Sequence, residues 1–355
     1  MKLLQETLNR IIPPSEFWRE KARRHILNLT MPPWALGRLL DLAVDLAGIQ
    51  ETLLVHVERK NIILMAGDHG IAEEGVSPSP KAVTRQMIAN FIAGGAGVSV
   101  LARQAGAGVT VVDVGVDAVL TGFGDRMLHR KIRRGTADFS KGPAMSREEA
   151  VRSIETGIEI TRMLAAGTDV FGTGDMGVAN TSPSSAILSL LAGIPLKDAV
   201  GMGAGLPPDK ILHKMEVIRQ GIELNCPDPS DPLDVLEKVG GLEIGGIAGT
   251  VLGAAALHKP VVVDGFISTA GAMIAAKLSP ASVSYMIPAH RSAEPGHRVM
   301  TAMLGREPLL DLGMRLGEGS GGALAMPILD SAAAVLREMA TFQSASVTGE
   351  GDYRK

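Results

Sequence analysis

The chain carries six short apolar runs, and each leads into Gly, Asp or His. Most of these runs are too continuous for antiparallel strands with one exposed face. They are typical of parallel strands that are buried on both faces. The runs therefore predict strands at residues 61–66, 109–116, 168–171, 198–201, 260–264 and 282–288.

Helical patterns, with apolar residues spaced three and four apart, lie between these runs. They predict helices at residues 83–104, 147–166, 184–192, 209–223, 244–257 and 269–277. Strands that alternate with helices form right-handed crossover units. The sequence therefore predicts an α/β protein with an open, mostly parallel sheet of about six strands, flanked by helices.

Both ends of the chain are helical and contain no predicted strand. Residues 3–28 and 31–48 carry helical patterns interrupted by proline pairs, and residues 322–342 carry a third pattern. A chain of 355 residues allows about two domains. We expect the ends, residues 1–49 and 321–355, to build a small helical domain. Residues 50–320 would then form the α/β domain that binds substrate.

Composition and charge exclude several classes of protein. Hydrophobic residues make up 46% of the chain and charged residues 21%, which is typical of a globular protein and not of a disordered one. The net charge of −3 and the aromatic content of 3% argue against a nucleic-acid partner. A single cysteine, Cys226, excludes an internal disulfide. Because no signal peptide or lipid-compatible stretch is present, we expect a cytoplasmic protein without a membrane partner.

Polar residues and glycines gather where the predicted strands end. In an open α/β sheet, ligands bind outside the carboxyl ends of the strands. The residues directly after the apolar runs are therefore the first candidates for a functional site. They lie at 67–70, 113, 172–177, 201–205, 264–265 and 290–292.

Two regions are candidates for binding a phosphate. Asn180 and Thr181 directly precede a predicted helix, whose free N–H groups and positive dipole end suit an anion. Residues 201–205, Gly-Met-Gly-Ala-Gly, offer further backbone amides, and Lys214 could add a cation. Plain helix capping and a surface lysine are the alternatives. The chain lacks the Gly-x-x-x-x-Gly-Lys-Ser/Thr pattern of P-loop nucleotidases.

Two further groups of residues could carry chemistry. Asp68, His69 and Asp264 follow predicted strands and could bind a metal in a hydrolase, although their spacing matches no recognised ligand motif. Glu318 lies in Gly-Glu-Gly-Ser-Gly-Gly, residues 317–322, where glycines let a ligand approach the backbone. The alternatives are turn or cap positions for the aspartates and a mobile loop without a role for Glu318.

Taken together and in order, the motifs closely resemble those of nicotinate-nucleotide–dimethylbenzimidazole phosphoribosyltransferases. The resemblance extends from about residue 61 to residue 326. The motifs are GDHGIAEEGVSPSP at 67–80, GDMGVANT at 174–181, EIGGIAG at 243–249, DGFIS at 264–268, AHRSAE at 289–294 and LGMRLGEGSG at 312–321.

The resemblance implies a fold and a reaction. The fold is a parallel-sheet domain of Rossmann type with a smaller helical domain from the chain ends, in a homodimer. The reaction moves the phosphoribosyl group of nicotinate mononucleotide to 5,6-dimethylbenzimidazole, with no metal and no other cofactor. A metal-dependent hydrolase and a nucleotide-binding regulator without a catalytic base are the competing hypotheses.

The resemblance also implies site residues. Glu318 matches the general base. Asp175 and Asp264 are further substrate-binding candidates, and Asp175 stands where many members have the longer Glu. The residues implied to hold the donor's phosphate and ribose are Gly177, Asn180, Thr181, Gly203 and Lys214. Those implied to line the acceptor pocket are Ser79, Gln86 or Met87, Met176, Met314 and Leu316.

Overall fold

One open sheet of six parallel strands forms the centre of the protein, in the order β3-β2-β1-β4-β5-β6. A computed structural model describes residues 1–348. The order reverses between β1 and β4, as in a Rossmann fold, so the predicted fold class is confirmed. The strands are β1 (Lys60–Gly67), β2 (Ala107–Gly115), β3 (Leu128–His129), β4 (Val170–Met176), β5 (Val261–Val263) and β6 (Met286–Pro288).

Five of the predicted strands overlap observed ones, and one prediction is wrong. Residues 198–201 form no strand, because Pro195 is followed by the short helix Leu196–Ala199. Proline is well suited to the start of a helix. The two-residue strand β3 is not among the predicted strands, since a segment of that length shows no apolar pattern.

Fourteen α-helices are present in the described part of the chain. The predicted helix at 83–104 is in fact two helices, because Gly94 adopts a left-handed φ of 80° and ends the first. The helices are α1 (Lys2–Leu8), α2 (Glu16–Ile26), α3 (Arg38–Gln50), α4 (Ala82–Ala93), α5 (Gly97–Gln104), α6 (Arg147–Leu164), α7 (Thr181–Ala192), α8 (Leu196–Ala199), α9 (Ile211–Asn225), α10 (Pro232–Val239), α11 (Leu242–Ala256), α12 (Phe266–Leu278), α13 (His297–Met303) and α14 (Ser320–Glu338). None of them combines the length and the apolar composition that a membrane crossing requires.

The two faces of the sheet are covered by different helices. Along β1, Ile63 and Met65 point into a core shared with α6, α11 and α12. Ile62 and Leu64 point to the opposite face, into a core shared with α3 and α14. This alternation follows from the two-residue period of a strand, and it explains why β1 is apolar at successive positions.

Helices from the two end regions of the chain, α2, α3 and α14, pack together on one side of the sheet. Helix α14 packs against α3 and α2 as well as against β1, β4 and β5. Helix α1, in contrast, packs against α6 and α11, and the backbone N–H of Leu4 donates a 3.1 Å hydrogen bond to Glu155. The division into domains at residues 49 and 320 stays a prediction.

Glycines allow α6 and α11 to approach closely. A Cβ on Gly157 of α6 would lie 2.0 Å from the carbonyl oxygen of Gly246, and one on Gly249 of α11 would lie 1.9 Å from that of Ile154. The two backbones are therefore in direct contact, and no side chain fits between them.

We expect Gly157→Ala to lower the free energy of unfolding by about 1–3 kcal/mol, because the added methyl group must push the helices apart. Urea unfolding followed by circular dichroism measures the change. Gly167→Ala is the matched control, since a Cβ there meets no atom within 4 Å. Equal stability of the two variants would contradict the close contact.

Candidate active site

A cleft of about 250 Å³ opens beyond the carboxyl ends of β1, β4, β5 and β6. This is where the strand order reverses, the usual ligand position in this fold. Most of the predicted site residues line the cleft: Ser79, Met87, Asp175, Met176, Gly177, Asn180, Thr181, Gly203, Leu316 and Glu318. Four others lie outside the lining: Gln86 is exposed on α4, Met314 is half-buried, and Lys214 and Asp264 are buried behind the walls.

A larger groove of about 800 Å³ runs along α6 beside β3. Its lining is rich in charged side chains, and several of these already have partners. Arg147 pairs with Asp231 at 2.8 Å, and Glu155 pairs with the amino terminus. The smaller cleft is the better candidate active site, because buried polar groups converge on it.

Glu318 is held in a tight turn at the start of α14. Residues 317, 318 and 319 all have positive φ, at 80°, 65° and 95°, which is unusual for the central non-glycine residue. Glu318 Oε2 accepts a 3.1 Å hydrogen bond from the backbone N–H of Val98, in the first turn of α5. Burial raises the pKa of Glu318, the Val98 N–H lowers it, and the charge of Asp264 raises it. The balance is a raised pKa, which suits a group that accepts a proton.

Asp175 is the penultimate residue of β4 and lines the cleft. Its Oδ2 accepts a 3.0 Å hydrogen bond from Asn180 Nδ2. Burial, followed by the charges of Asp264 and Glu243, raises the pKa of Asp175 well above its ordinary value. The charge of Glu318 acts in the same direction. The inner end of the cleft is thus rich in carboxyl groups, and it favours a ligand that develops positive charge.

Lys214 lies at the other end of the cleft, behind α7. Its Nζ donates hydrogen bonds to Thr181 Oγ1 at 2.8 Å and to the carbonyl oxygen of Gly201 at 3.2 Å. Burial lowers the pKa of Lys214 to about 8, partly offset by the charge of Glu294. An ammonium has three N–H donors, so these two hydrogen bonds do not use all of them.

Residues 201–205 differ from the expected arrangement. They follow α8 and not a strand, and the N–H of Gly203 donates a 2.8 Å hydrogen bond to Glu294. The carbonyl oxygen of Gly203 accepts a 3.1 Å hydrogen bond from Arg315. The Gly203 amide is therefore already occupied by a carboxylate, which makes Lys214 and the start of α7 the better candidates for binding an anion.

Glu294 and Arg315 line the cleft but are absent from the predicted site residues. Both lie within the motifs that carry the resemblance, at 289–294 and 312–321. In the sequence, Glu294 follows the strand β6 and Arg315 precedes the turn that carries Glu318, and these positions could have indicated a role in the site. The sequence alone does not predict that Glu294 and Arg315 both contact Gly203, which is about a hundred residues away.

The proposed metal ligands are not brought together. His69 Nε2 lies 2.7 Å from Glu243, and Asp68 accepts a hydrogen bond from the N–H of Asp117. Asp264 instead faces the backbone of α14. Within residues 1–348, no group of three potential ligand side chains could hold a metal ion. The hydrolase alternative based on Asp68, His69 and Asp264 is therefore not supported.

Comparison with known proteins identifies the class. A family model described as "Phosphoribosyltransferase" matches residues 11–347, nearly the whole chain. A nicotinate-nucleotide–dimethylbenzimidazole phosphoribosyltransferase from Syntrophotalea carbinolica is 55% identical over 98% of this chain and 99% of its own length. One from Geobacter sulfurreducens is 48% identical over 99% of this chain and the full length of the relative.

A solved structure agrees with these relatives. The crystal structure of the enzyme of the same name from Thermus thermophilus matches with a TM-score of 0.89 and 40% identity, over 95% of this chain and 100% of that one. The chain belongs to the family of nicotinate-nucleotide–dimethylbenzimidazole phosphoribosyltransferases.

We expect Asp175→Asn to be more stable than the parent near pH 8, by about 1–2 kcal/mol. The pKa of the Asp175 carboxyl is raised in the folded protein. The unfolded chain therefore loses the carboxyl proton at a lower pH than the folded protein does. As a result, the folded protein loses stability as the pH rises. Asn keeps an oxygen for Asn180 without the charge.

Urea unfolding at several values between pH 4 and pH 8 measures this difference, which should grow with pH. Asp198→Asn, at an exposed position on α8, is the control. A difference independent of pH would contradict the destabilising effect assigned to the Asp175 charge.

Proposed function

We propose that this protein transfers the phosphoribosyl group of nicotinate mononucleotide to 5,6-dimethylbenzimidazole, giving α-ribazole 5′-phosphate and nicotinate. The names of its relatives support this reaction. The observation that carries the proposal is a single cleft with Glu318 at one end and the buried cation Lys214 behind the other.

The leaving group requires little help from the protein. The donor's glycosidic bond goes to a cationic pyridinium nitrogen, so nicotinate departs with a neutral ring nitrogen. Bond cleavage therefore requires no general acid. What the protein must supply is orientation of the two substrates and a group that removes one proton.

Glu318 is the group proposed to remove that proton. The acceptor attacks the ribose carbon through one imidazole nitrogen, and positive charge builds on its ring. Loss of the proton on the other nitrogen to the Glu318 carboxylate relieves this charge. The neighbouring carboxyl group of Asp175, which lines the cleft, favours the cationic ribose and ring of the transition state.

The donor phosphate is proposed to lie at the start of α7. Thr181 Oγ1 and the Lys214 ammonium are already in contact there, and Gly177 and Asn180 complete the turn that leads into the helix. A helix N-terminus with an adjacent cation is a favourable site for a phosphate.

The acceptor is proposed to lie against Ser79, Met87, Met176 and Leu316, on the side of the cleft nearest Glu318. A Cβ on Gly97 would lie 2.7 Å from Leu316 Cδ2 and 3.2 Å from Glu318 Oε2, so Leu316 and the carboxylate are neighbours. Methionine side chains adapt to flat apolar ligands. The homodimer and the cytoplasmic location stay predictions.

We expect Glu318→Gln to reduce turnover by about 100-fold or more, because the amide cannot take up a proton. Donor affinity should persist, since the phosphate region is at the other end of the cleft, and the amide oxygen can still accept from Val98. Steady-state rates and calorimetric binding of nicotinate mononucleotide measure the two effects. Glu307→Gln, at an exposed position, is the control. Near-parental turnover in the Glu318 variant would exclude this residue as the base.

We expect Lys214→Met to weaken donor binding by about 10–100-fold, the usual value of a charge-assisted hydrogen bond. Because the pKa of Lys214 is about 8, donor affinity of the parent should fall as pH rises through that value. The Met variant should show no such decline. Calorimetry between pH 7 and about pH 9.5 tests both points, with the exposed Lys197→Met as control. Unchanged affinity in the Lys214 variant would place the phosphate elsewhere.

A further inference from the structure

The turn that carries Glu318 is conformationally demanding. Three successive residues with positive φ include one that has a side chain, and such a conformation costs of order 1 kcal/mol for a non-glycine residue. Gly319, the residue before α14, provides no side chain to cap the helix. Within the turn, the N–H and the hydroxyl of Ser320 both donate to the carbonyl oxygen of Gly317, at 3.0 Å and 2.7 Å. Contacts from outside the turn add to these.

Asp264 provides that contact from the end of β5. Its Oδ2 accepts a 3.1 Å hydrogen bond from the N–H of Gly319, and its Oδ1 accepts a 3.0 Å hydrogen bond from the N–H of Gly322. The side chain is fully buried. A carboxylate facing the first N–H groups of a helix is favourable, both as a cap and against the helix dipole.

The same contacts argue against the substrate-binding role expected for Asp264. Both of its oxygens are directed at the backbone of α14, and Asp264 itself does not line the cleft. His290 also faces this side chain, with its Nε2 3.8 Å from Oδ1. The aspartate is placed to act on the turn and not on a ligand.

We propose that Asp264 is the positioning residue for Glu318: by binding the amides of Gly319 and Gly322, it fixes the turn that directs the Glu318 carboxylate toward the acceptor. This inference rests on the role of Glu318 proposed above. Asp264 accepts a hydrogen bond from Gly319, the residue directly after Glu318. A shift of the Gly319 amide would therefore move the Glu318 carboxylate as well. A displacement of about 1 Å at a reacting group can cost about 100-fold in rate.

The test is a double-mutant cycle with Asp264→Asn and Glu318→Gln. Asn keeps the shape of Asp264, but its NH₂ group replaces one of the two accepting oxygens. One of the two backbone N–H groups would therefore face a donor and lose its acceptor. We expect kcat to fall by about 10–100-fold in Asp264→Asn, with unchanged affinity for nicotinate mononucleotide. In the Glu318→Gln background, Asp264→Asn should cause no further loss, because the residue it positions no longer acts as a base.

Asp113→Asn is the matched control. Asp113 is also fully buried near the carboxyl end of a strand, accepts an N–H from Val116 and lies away from the cleft. The Asp113→Asn variant should keep the parental kcat even if its free energy of unfolding is lower. An equal fold-loss from Asp264→Asn in both backgrounds would overturn the positioning role alone. Parental turnover in Glu318→Gln by itself would overturn the base, and this proposal with it.

A second pair of variants tests the contact without altering Asp264. Gly322→Pro removes the N–H that Asp264 Oδ1 accepts, in the first turn of α14, where proline is tolerated. Gly322→Ala keeps the N–H, and its Cβ would meet no atom closer than 3.9 Å. We expect kcat to fall several-fold in the Pro variant and to stay parental in the Ala variant. Equal kcat in the two folded variants would overturn the proposal.

Discussion

The cleft depends on direct backbone contact between β4 and the start of α14. A Cβ on Gly174 would lie 2.4 Å from the carbonyl oxygen of Glu318, and one on Gly172 would lie 2.8 Å from Met326 Cε. Because both positions are glycine, the helix can rest on the sheet and its first turn can reach the strand end. The wall of the cleft, the position of Glu318 and the packing of α14 are therefore set by one contact.

Charge is distributed along the cleft in the order that the proposed substrates require. Carboxyl groups of Asp175, Asp264 and Glu318 lie at the end where positive charge would develop. The single buried ammonium, among the residues described around the cleft, is Lys214 at the end proposed for the phosphate. Glu294 partly offsets the lysine charge before a ligand arrives, so the phosphate end does not carry an entirely uncompensated buried charge.

The sequence predicts the parts of this fold that depend on local pattern. β1 and β2 are long apolar runs, and the glycines around Glu318 indicate an unusual turn. The predicted span of β4 stops at residue 171, because the last five residues of the strand, Gly172 to Met176, include glycines and polar residues that contact α14 and the cleft. Contacts such as Asp264 with Gly319 and Glu294 with Gly203 join residues 55 and 91 positions apart, and no local pattern specifies them.

The position of α14 in the chain has a consequence for how the protein is made. Synthesis proceeds from the N-terminus, and domains fold as the chain emerges. β1, β4 and β5 are complete by residue 263, whereas the helix that covers one of their faces begins at residue 320. During that interval the nascent chain exposes Ile62, Leu64 and Val262 without their final cover. The turn that carries Glu318 and the cover of the sheet are synthesised together, so a chain truncated before α14 lacks the proposed base and leaves apolar surface that favours aggregation exposed.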